Sequence, residues 1–314
     1  MEIPVYLITG FLESGKTTFI KQVISEGNFV PEENTLLILT EEGEEEIESS
    51  LLKEFNIDVA VVEDRDDFTL EFLQECQKKY KPDNVIIEYN GMWMVSDFLN
   101  MYLPKEWQVF QIVSTVDAST FQIYLNNMRS LISDILANTG LAIFNRCDEE
   151  ATDLSYLIRN VKVLNSSTEM IFEAKNGDIL DPGDEILPYD MNQDIIEITD
   201  ENYGIWYLDA LDHSERYDGR KVMIKGMVFR SPDFEEGYFV PGRMAMTCCA
   251  DDMTFLGFLC KSKFASKLKN KQWVTVTASI RVEPREEYGG IGPVLYAERI
   301  QSAKKPEEEV VYFN

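Results

Sequence analysis

The spacing of apolar and polar residues differs between the two parts of the chain. Up to about residue 180, stretches with helical spacing separate short apolar runs, and these runs are predicted to be strands: residues 5–9, 36–40, 85–88, 109–116, 141–145 and 161–165. Strands that alternate with helices are typical of a mostly parallel sheet with helices on both faces. The N-terminal part is therefore predicted to be an α/β domain.

The apolar period changes to two in the C-terminal part. Between residues 274 and 282, apolar side chains occupy every even position, as in a strand with one buried face. Similar strands are predicted at residues 221–230, 243–250, 255–260 and 293–299, and a short basic amphipathic helix at residues 261–271. The lysines of that helix are solvated or dock an acidic partner. Five strands interrupted late by one helix favour a small all-β, OB-like barrel.

Turn-forming residues mark the boundary between the two parts. Residues 176–185 read Asn-Gly-Asp-Ile-Leu-Asp-Pro-Gly-Asp-Glu, a run rich in turn formers. We expect the α/β domain to cover residues 1–190 and the barrel domain residues 195–314. A length of 314 residues fits two domains, because single cores seldom grow beyond about 250 residues.

Charge and composition narrow the classes of partner. The net charge is −27, and 39 of the 56 acidic residues precede residue 201. Such a field repels phosphate backbones and anionic lipids, so neither nucleic acid nor direct membrane insertion is expected. No apolar run approaches the ~20 residues of a membrane span, the N-terminus lacks the basic start of a signal peptide, and five cysteines fit a reducing compartment. These features predict a cytoplasmic protein.

A phosphate-binding motif follows the first predicted strand. Residues 10–18 read Gly-Phe-Leu-Glu-Ser-Gly-Lys-Thr-Thr and lead into a helix, which is the context of a P-loop. Glycines let backbone N–H groups surround phosphates, Lys16 neutralises the terminal phosphates, and the Thr17 hydroxyl binds Mg²⁺. The nucleotide-binding residues predicted in this loop are Gly10, Glu13, Ser14, Gly15, Lys16, Thr17 and Thr18.

Three polar residues indicate which base is bound. Asn145, Arg146 and Asp148 follow an apolar strand and so lie at the sheet edge where ligands bind. The Asp148 carboxylate would accept from both the ring N–H and the exocyclic amine of guanine, which favours GTP over ATP. Asn165 and Ser166, after the next predicted strand, are expected to complete the base contacts. Alternatively, Asp148 caps a helix that begins just after it.

Glu88 ends a buried strand and begins the sequence Glu-Tyr-Asn-Gly. We expect its carboxylate near Mg²⁺ and its water shell, where Glu88 and Lys16 are the candidate catalytic residues. The N–H group of Gly91 would then meet the terminal phosphate. The alternative is a strand-end glutamate that only caps or faces solvent.

These motifs occur in an order that resembles the CobW-type branch of the CobW, HypB and UreG group of P-loop GTPases. The matching segments are residues 10–18, 40–44, 88–91, 116–118 and 145–148. The resemblance implies a P-loop NTPase fold and a GTPase that binds GTP or GDP with Mg²⁺. It further implies a metal chaperone or metal-homeostasis protein with a metal-receiving client. By the same resemblance, Glu41 and Glu44 belong to a switch that senses the terminal phosphate, and Glu41 joins Thr17 and Glu88 as a Mg²⁺ ligand.

The chain departs from that group at two places. Tyr89 and Asn90 stand where relatives commonly have hydroxyl residues, so slow intrinsic hydrolysis that a partner accelerates is predicted. The Cys-x-Cys-Cys motif usual in CobW-type proteins is absent, and the interval where it would lie has Cys76 as its one cysteine.

Thiols reappear in the C-terminal part. Cys248, Cys249 and Cys260 are candidate ligands for Zn²⁺ or a similar transition metal, the alternative being core packing. With the segments Gly-Met-Val-Phe at 226–229, Phe-Leu-Gly-Phe-Leu at 255–259 and Gly-Pro-Val-Leu at 292–295, residues from about 200 to 313 resemble the C-terminal domain of YcgQ-type permease-associated proteins. This resemblance leaves open a GTP-gated regulatory module of a membrane permease. The P-loop domain also leaves open an ATP-dependent kinase-like enzyme.

Overall fold

The computed structural model describes residues 2–26, 33–41, 43, 45, 47–183, 187–246 and 253–311. The chain divides into two compact units, Met1–Gly183 and Asp184–Asn314. Within the described ranges, no helix is long and apolar enough to cross a bilayer.

Unit 1 is built on one eight-stranded sheet. Its strands are β1 Ile3–Thr9, β2 Thr35–Leu39, β3 Ile57–Val61, β4 Asn84–Glu88, β5 Trp107–Asp117, β6 Leu141–Cys147, β7 Glu169–Ala174 and β8 Ile179–Leu180. Their order in the sheet is β3-β2-β4-β1-β5-β6-β7-β8. The first seven strands of that order run parallel, and β8 pairs antiparallel with β7.

Helices cover both faces of this sheet, which explains why its strands read as continuous apolar runs. The helices are α1 Lys16–Ser25, α2 Ser49–Glu54, α3 Leu70–Tyr80, α4 Val95–Asn100, α5 Phe121–Asn127, α6 Arg129–Ala137 and α7 Leu154–Lys162. Side chains of α1 and α2 pack with Ile8 and Leu37 on one face. Side chains of α3 to α7 pack with Leu7 and Ile38 on the other face. The predicted α/β fold with a mostly parallel sheet is confirmed.

The strand predicted at residues 161–165 is wrong. Val161 lies in the last turn of α7, where it and Leu157 are buried four residues apart on one side of the helix. The Asp153 carboxylate caps that helix by accepting from the Tyr156 N–H at 2.9 Å. The next strand is β7, further along the chain. The edge strand β3 was not predicted, since only two of its five residues are buried.

Unit 2 contains a closed barrel. Its strands are β9 Ile196–Glu197, β10 Lys221–Phe229, β11 Tyr238–Met246, β12 Met253–Leu256, β13 Cys260–Lys261, β14 Trp273–Arg285, β15 Gly290–Ser302 and β16 Val310–Val311. Pairings in the order β10-β11-β13-β15-β14 return to β10 and close a five-stranded ring. All pairs in the ring are antiparallel except β13 with β15. The second, β-sheet unit is thus confirmed, although it also has one unpredicted helix, α8 Tyr203–Asp212, with Trp206 fully buried.

The basic helix predicted at residues 261–271 is wrong. Only Ala265–Lys267 form a short 3₁₀ turn in this stretch. The carbonyl oxygens of Ser266 and Leu268 accept from the Arg230 guanidinium at 3.4 and 3.1 Å rather than from N–H groups further along a helix. Lys263, Lys267, Lys269 and Lys271 are therefore exposed on a loop, and Lys261 lies in β13.

Candidate nucleotide site

The parallel strands of unit 1 all end at the same edge of the sheet, and the motif residues lie at those ends. In strand order, they are Glu41 just beyond β2, Glu88 in β4, Gly10 after β1, Asp117 in β5, and Asn145 and Arg146 in β6. Lys175, which belongs to no motif, lies at the same edge after β7. Ligands of open α/β sheets bind at this edge. The topology thus gathers motifs that are far apart in sequence.

Side chains of the neighbouring strands β5 and β6 support the loop after β1. Gly15 has a φ of 97°, and a side chain there would lie 2.7 Å from Asn145 Nδ2. The same Nδ2 donates to the Ser14 carbonyl at 2.7 Å. The Ser14 and Thr115 hydroxyls bond at 2.8 Å. Asn145 Oδ1 is buried without a hydrogen-bond partner, which leaves one polar atom at the site for a ligand to satisfy.

Lys16 lies at the centre of this loop, and its side chain is only 3% exposed. Its ammonium donates to the carbonyls of Gly10 at 2.7 Å and Phe11 at 2.9 Å, and it pairs with Glu41 Oε1 at 2.5 Å. An ammonium group has three hydrogens to donate, so these three oxygens satisfy it. Glu41 thereby contacts the cation that a terminal phosphate would contact.

Thr17 and Glu88 form a pair of oxygen donors beside Lys16. The Thr17 hydroxyl donates to Glu88 Oε1 at 2.8 Å. Burial raises the pKa of the Glu88 carboxyl, the Thr17 hydrogen bond and the Lys16 charge lower it, and Glu41 raises it; the net shift is upward. A hydroxyl and a carboxylate are the hard ligands that Mg²⁺ prefers, so these residues fit a Mg²⁺ site.

The switch segment contacts the loop through carboxylates. The structure joins Thr17 and Glu88 by a hydrogen bond and pairs Glu41 with Lys16, while all four side chains line one cleft. Thr18 donates from its hydroxyl to Glu45 Oε2 at 2.9 Å, a contact that sequence reasoning missed. Glu44 lies outside the described residues. A cleft of about 190 Å³ is lined by these side chains, namely Lys16, Thr17, Thr18, Glu41, Glu45 and Glu88, with Leu12, Glu13, Gly15, Gly43 and Arg146.

The Glu-Tyr-Asn-Gly segment packs directly on the phosphate-binding loop. A Cβ atom on Gly91 would lie 2.1 Å from the Gly10 carbonyl oxygen, so only glycine fits there. The side chains of the two residues before it form hydrogen bonds with the chain that follows. Tyr89 is fully buried and donates to the Met94 carbonyl at 3.2 Å, and Asn90 Oδ1 accepts from the Met92 N–H at 2.9 Å.

Arg146 links the loop to the end of β5. Its backbone has a φ of 54°, a conformation rare outside glycine, and its Nη1 donates to the Glu13 carbonyl at 2.9 Å. The same Nη1 contacts Asp117 Oδ2 at 2.6 Å. The motif residues Glu13, Arg146 and Asp117 therefore form one connected group.

Asp148 stands at the end of β6 with its carboxylate half exposed. Oδ2 pairs with Lys175 at 3.1 Å, while Oδ1 accepts from the N–H groups of Glu150 and Ala151. The Lys175 ammonium first, and then these N–H groups, hold the pKa of the Asp148 carboxyl below its usual range. Asp148 caps a turn, since the following helix begins only at Leu154. Lys175 was missed because the strand before it was misplaced.

Asn165 and Ser166 lie at the opposite edge of the sheet, so their predicted contacts with the base are wrong. Asn165 Nδ2 donates to the Thr139 carbonyl at 3.1 Å, just before β6 begins. The Ser166 carbonyl accepts from Lys162 at 2.6 Å. Both residues come before β7 begins, so they lie at the edge where the parallel strands start and not at the edge where they end.

The candidate transition-metal ligands are not assembled in the described part of the chain. Cys248 and Cys249 lie outside the described residues. Cys260 is fully buried in β13, and burial raises the pKa of its thiol, which disfavours the thiolate that binds metal. Across the described ranges, no group of three or more His, Cys, Asp or Glu side chains could hold a metal ion.

Both parts of the chain match known protein families. Residues 4–172 match the family model for the CobW/HypB/UreG nucleotide-binding domain, and residues 182–313 match that for the DUF1980 C-terminal domain. A relative, the zinc chaperone CobW of Sinorhizobium sp, is 23% identical over 217 residues, which cover 57% of this chain and 60% of that protein. The chain thus spans about 60% of the length of this relative.

Two solved structures are similar in parts. The hydrogenase maturation factor HypB from Archaeoglobus fulgidus is 16% identical, covers 56% of this chain and 82% of its own, and has a TM-score of 0.38. The mitochondrial single-stranded DNA-binding protein Rim1 of S. cerevisiae is 17% identical, covers 29% of this chain and 100% of its own, and has a TM-score of 0.19. TM-scores of this size carry no inference about function.

The contact between Gly91 and the loop gives a direct test of the site. Gly91→Ala should weaken binding of a fluorescent GDP analogue by at least about tenfold, because the new methyl group must displace the Gly10 backbone. Gly140→Ala is the matched control, since its Cβ would lie 3.6 Å from the nearest atom, an ordinary contact. Equal affinities for the two variants, both folded by circular dichroism, would contradict the site.

Proposed function

The chain belongs to the CobW/HypB/UreG nucleotide-binding family, a family of GTP-binding P-loop proteins, and from this premise we propose that it is a GTPase and metal chaperone. In this proposal it binds GTP at residues 10–18, hydrolyses it slowly, and couples its nucleotide state to the binding of a metal ion or client. The observation that carries the proposal is the ion pair between Lys16 and Glu41. It places a switch carboxylate on the ammonium that neutralises phosphate.

GTP binding separates this pair. A terminal phosphate competes with Glu41 for the Lys16 ammonium, while the N–H groups of the loop bind the other phosphate oxygens. Thr17 and Glu88 would hold Mg²⁺, which supplies neutralisation of the charge that develops during phosphoryl transfer. Lys16 stabilises the same charge. The release of Glu41 from Lys16 thereby signals the nucleotide state.

Guanine is selected at the end of β6 in this proposal. The ring N–H and the exocyclic amine of guanine donate to the Asp148 carboxylate, which Lys175 and two backbone N–H groups keep ionised. Adenine lacks this donor pair and would leave the carboxylate unmatched. Asn145, with its unsatisfied Oδ1, lies between this position and the phosphate-binding loop.

Metal is the cargo in this proposal, and zinc is the first candidate because the CobW relative is named a zinc chaperone. Cys248, Cys249 and Cys260 are the candidate ligands, with Cys260 the weakest because of its buried thiol. A client protein that receives the metal is the expected partner. No observation on the described residues favours a permease-regulating role, which is therefore not proposed.

Base selection is tested by Asp148→Asn. The amide matches xanthine, which has a carbonyl where guanine has its amine, so GTP affinity should fall on the order of a hundredfold while XTP affinity rises. Asp58→Asn, which makes the same substitution at an exposed position of β3, is the matched control. Competition of GTP, XTP and ATP against a fluorescent analogue measures all three affinities. An unchanged preference in Asp148→Asn, or preference of the unmodified protein for ATP, would contradict the proposal.

Slow intrinsic hydrolysis follows from the contacts of Tyr89 and Asn90. With the Tyr89 hydroxyl and Asn90 Oδ1 bonded within the protein, no residue identified at the site positions an attacking water. Turnover should therefore stay below about 0.01 per second, the scale of unassisted GTPases. Phosphate release by the purified protein under GTP excess measures it. Lys16→Ala is the control that separates this activity from contamination. Turnover of about one per second by the protein alone would contradict this expectation.

Zinc affinity in each nucleotide state tests the coupling. Chelator competition on the reduced protein with Mg²⁺ and GDP, or with a non-hydrolysable GTP analogue, should give a zinc site whose affinity differs between the states. Zinc must then change nucleotide affinity by the same factor. Cys248→Ser/Cys249→Ser should remove the site, whereas Cys76→Ser, at a buried thiol in α3 whose pKa burial raises to about 11, should not. No site tighter than adventitious binding in either state rejects the chaperone role for zinc.

A further inference from the structure

A positively charged loop lies in unit 2 of this otherwise acidic chain. Residues 253–282 contain no Asp or Glu, although the whole chain has a net charge of −27. Five lysines fall in this stretch and are all exposed: Lys261, Lys263, Lys267, Lys269 and Lys271. None of them forms an ion pair with a residue of the described ranges. We call residues 262–272, between β13 and β14, the lysine loop.

The lysine loop has a fixed shape although it lacks regular secondary structure. Arg230 donates from Nη1 to the Leu268 carbonyl at 3.1 Å and from its backbone to Asn270 Oδ1 at 2.6 Å. Within the loop, Ala265 is buried. The Lys271 N–H donates to the Val228 carbonyl at 2.8 Å, which anchors the end of the loop. A preformed surface loses little conformational entropy when it binds a partner.

An aromatic ring lies among the lysines. Phe264 is 46% exposed, and the ammonium groups of Lys263 and Lys267 lie 5.2 and 5.5 Å from its ring centroid. The surface therefore offers an apolar contact between positive charges. Such a combination matches a ligand that has an apolar side chain flanked by carboxylates.

Nearby carboxylates do not neutralise this surface. After Arg230 the chain continues through Asp233 and Glu235, but the Asp233 carboxylate accepts from the Ser231 hydroxyl at 2.8 Å and Glu235 pairs with Arg285 at 3.5 Å. The lysine charges are thus left for an external anion.

We propose that the lysine loop is a docking surface for an acidic peptide segment of a partner protein, with an apolar side chain of that segment against Phe264. Extended polyanions fit less well, because a duplex or an anionic bilayer spans more than the loop and would also meet the carboxylates of unit 2, none of which falls in residues 253–282. A short segment meets only the loop, since exposed charges beyond about 8 Å are screened at physiological salt. This inference does not rest on the nucleotide site.

The test uses the full chain without nucleotide and measures fluorescence anisotropy of a labelled peptide, Glu-Glu-Asp-Glu-Ile-Glu-Asp-Glu. Lys267→Gln/Lys269→Gln should weaken its binding by about tenfold, and Phe264→Ser should weaken it severalfold without changing its salt dependence. Lys304→Gln/Lys305→Gln removes the same charge elsewhere in unit 2 and should leave affinity within about twofold. A peptide with Gln and Asn in place of its acids should not bind. Thermal unfolding midpoints verify that the variants are folded.

Three results would overturn the proposal. The first is no binding of the acidic peptide. The second is an equal loss of affinity in the two double-lysine variants, which would show that only net charge matters. The third is tighter binding of phosphatidylglycerol vesicles or of a single-stranded oligonucleotide, lost in Lys267→Gln/Lys269→Gln, which would assign the loop to a membrane or a nucleic acid instead.

Discussion

The buried ammonium of Lys16 is the interaction on which the arrangement of the site depends. A cation withdrawn from water is costly unless oxygen atoms surround it. Here, the carbonyls of Gly10 and Phe11 and the carboxylate of Glu41 supply those atoms. The two carbonyls belong to the same loop as the lysine, but Glu41 comes from the segment after β2. The third partner is therefore the one that can be exchanged, and in the proposed function a phosphate takes its place, which keeps the ammonium neutralised and frees Glu41.

The rest of the site consists of parts that fix the loop in place. Gly91 touches the Gly10 backbone so closely that no side chain fits, and Asn145 supports the loop from the next strand. Arg146 binds the loop at Glu13 and the end of β5 at Asp117. A site preorganised in this way does not need to assemble when the nucleotide arrives. By contrast, Glu41 and Glu45 contact α1 through their side-chain carboxylates, at Lys16 and Thr18.

Sequence reasoning succeeded where one local pattern determines one element. The P-loop spacing, the apolar runs of five parallel strands and the period-two strand at residues 274–282 are of this kind. It failed where tertiary contacts override the local pattern. The run at residues 161–165 is apolar enough for a strand, yet Leu157 and Val161 belong to one helical face that begins at a capping aspartate. The lysine loop has helical spacing, but Arg230, more than thirty residues earlier, binds its carbonyls.

One misplaced strand also changed the predicted site. Because Asn165 precedes β7 instead of following a strand, it lies at the wrong edge of the sheet, and Lys175 lies at the edge that faces Asp148. No local pattern in the sequence marks Lys175, because its role depends on which strand ends beside β6. Asp148 was identified since its own strand was placed correctly. A site residue can thus be predicted only as well as the strand end that positions it. Asp148 lies at the predicted edge of the sheet although the strand after β6 was misplaced.

In the proposed function, the contacts of Tyr89 and Asn90 separate nucleotide binding from hydrolysis. Residues are proposed for phosphate, Mg²⁺ and base, but the side chains of Tyr89 and Asn90 are bonded within the protein. Tyr89 lies in an aromatic cluster with Phe68, Trp93 and Phe98, so turning it toward the cleft would disrupt core packing. Asn90 could be released at the loss of one hydrogen bond to Met92. A partner that accelerates hydrolysis would therefore act by supplying its own group or by freeing Asn90, because moving Tyr89 would break the aromatic cluster.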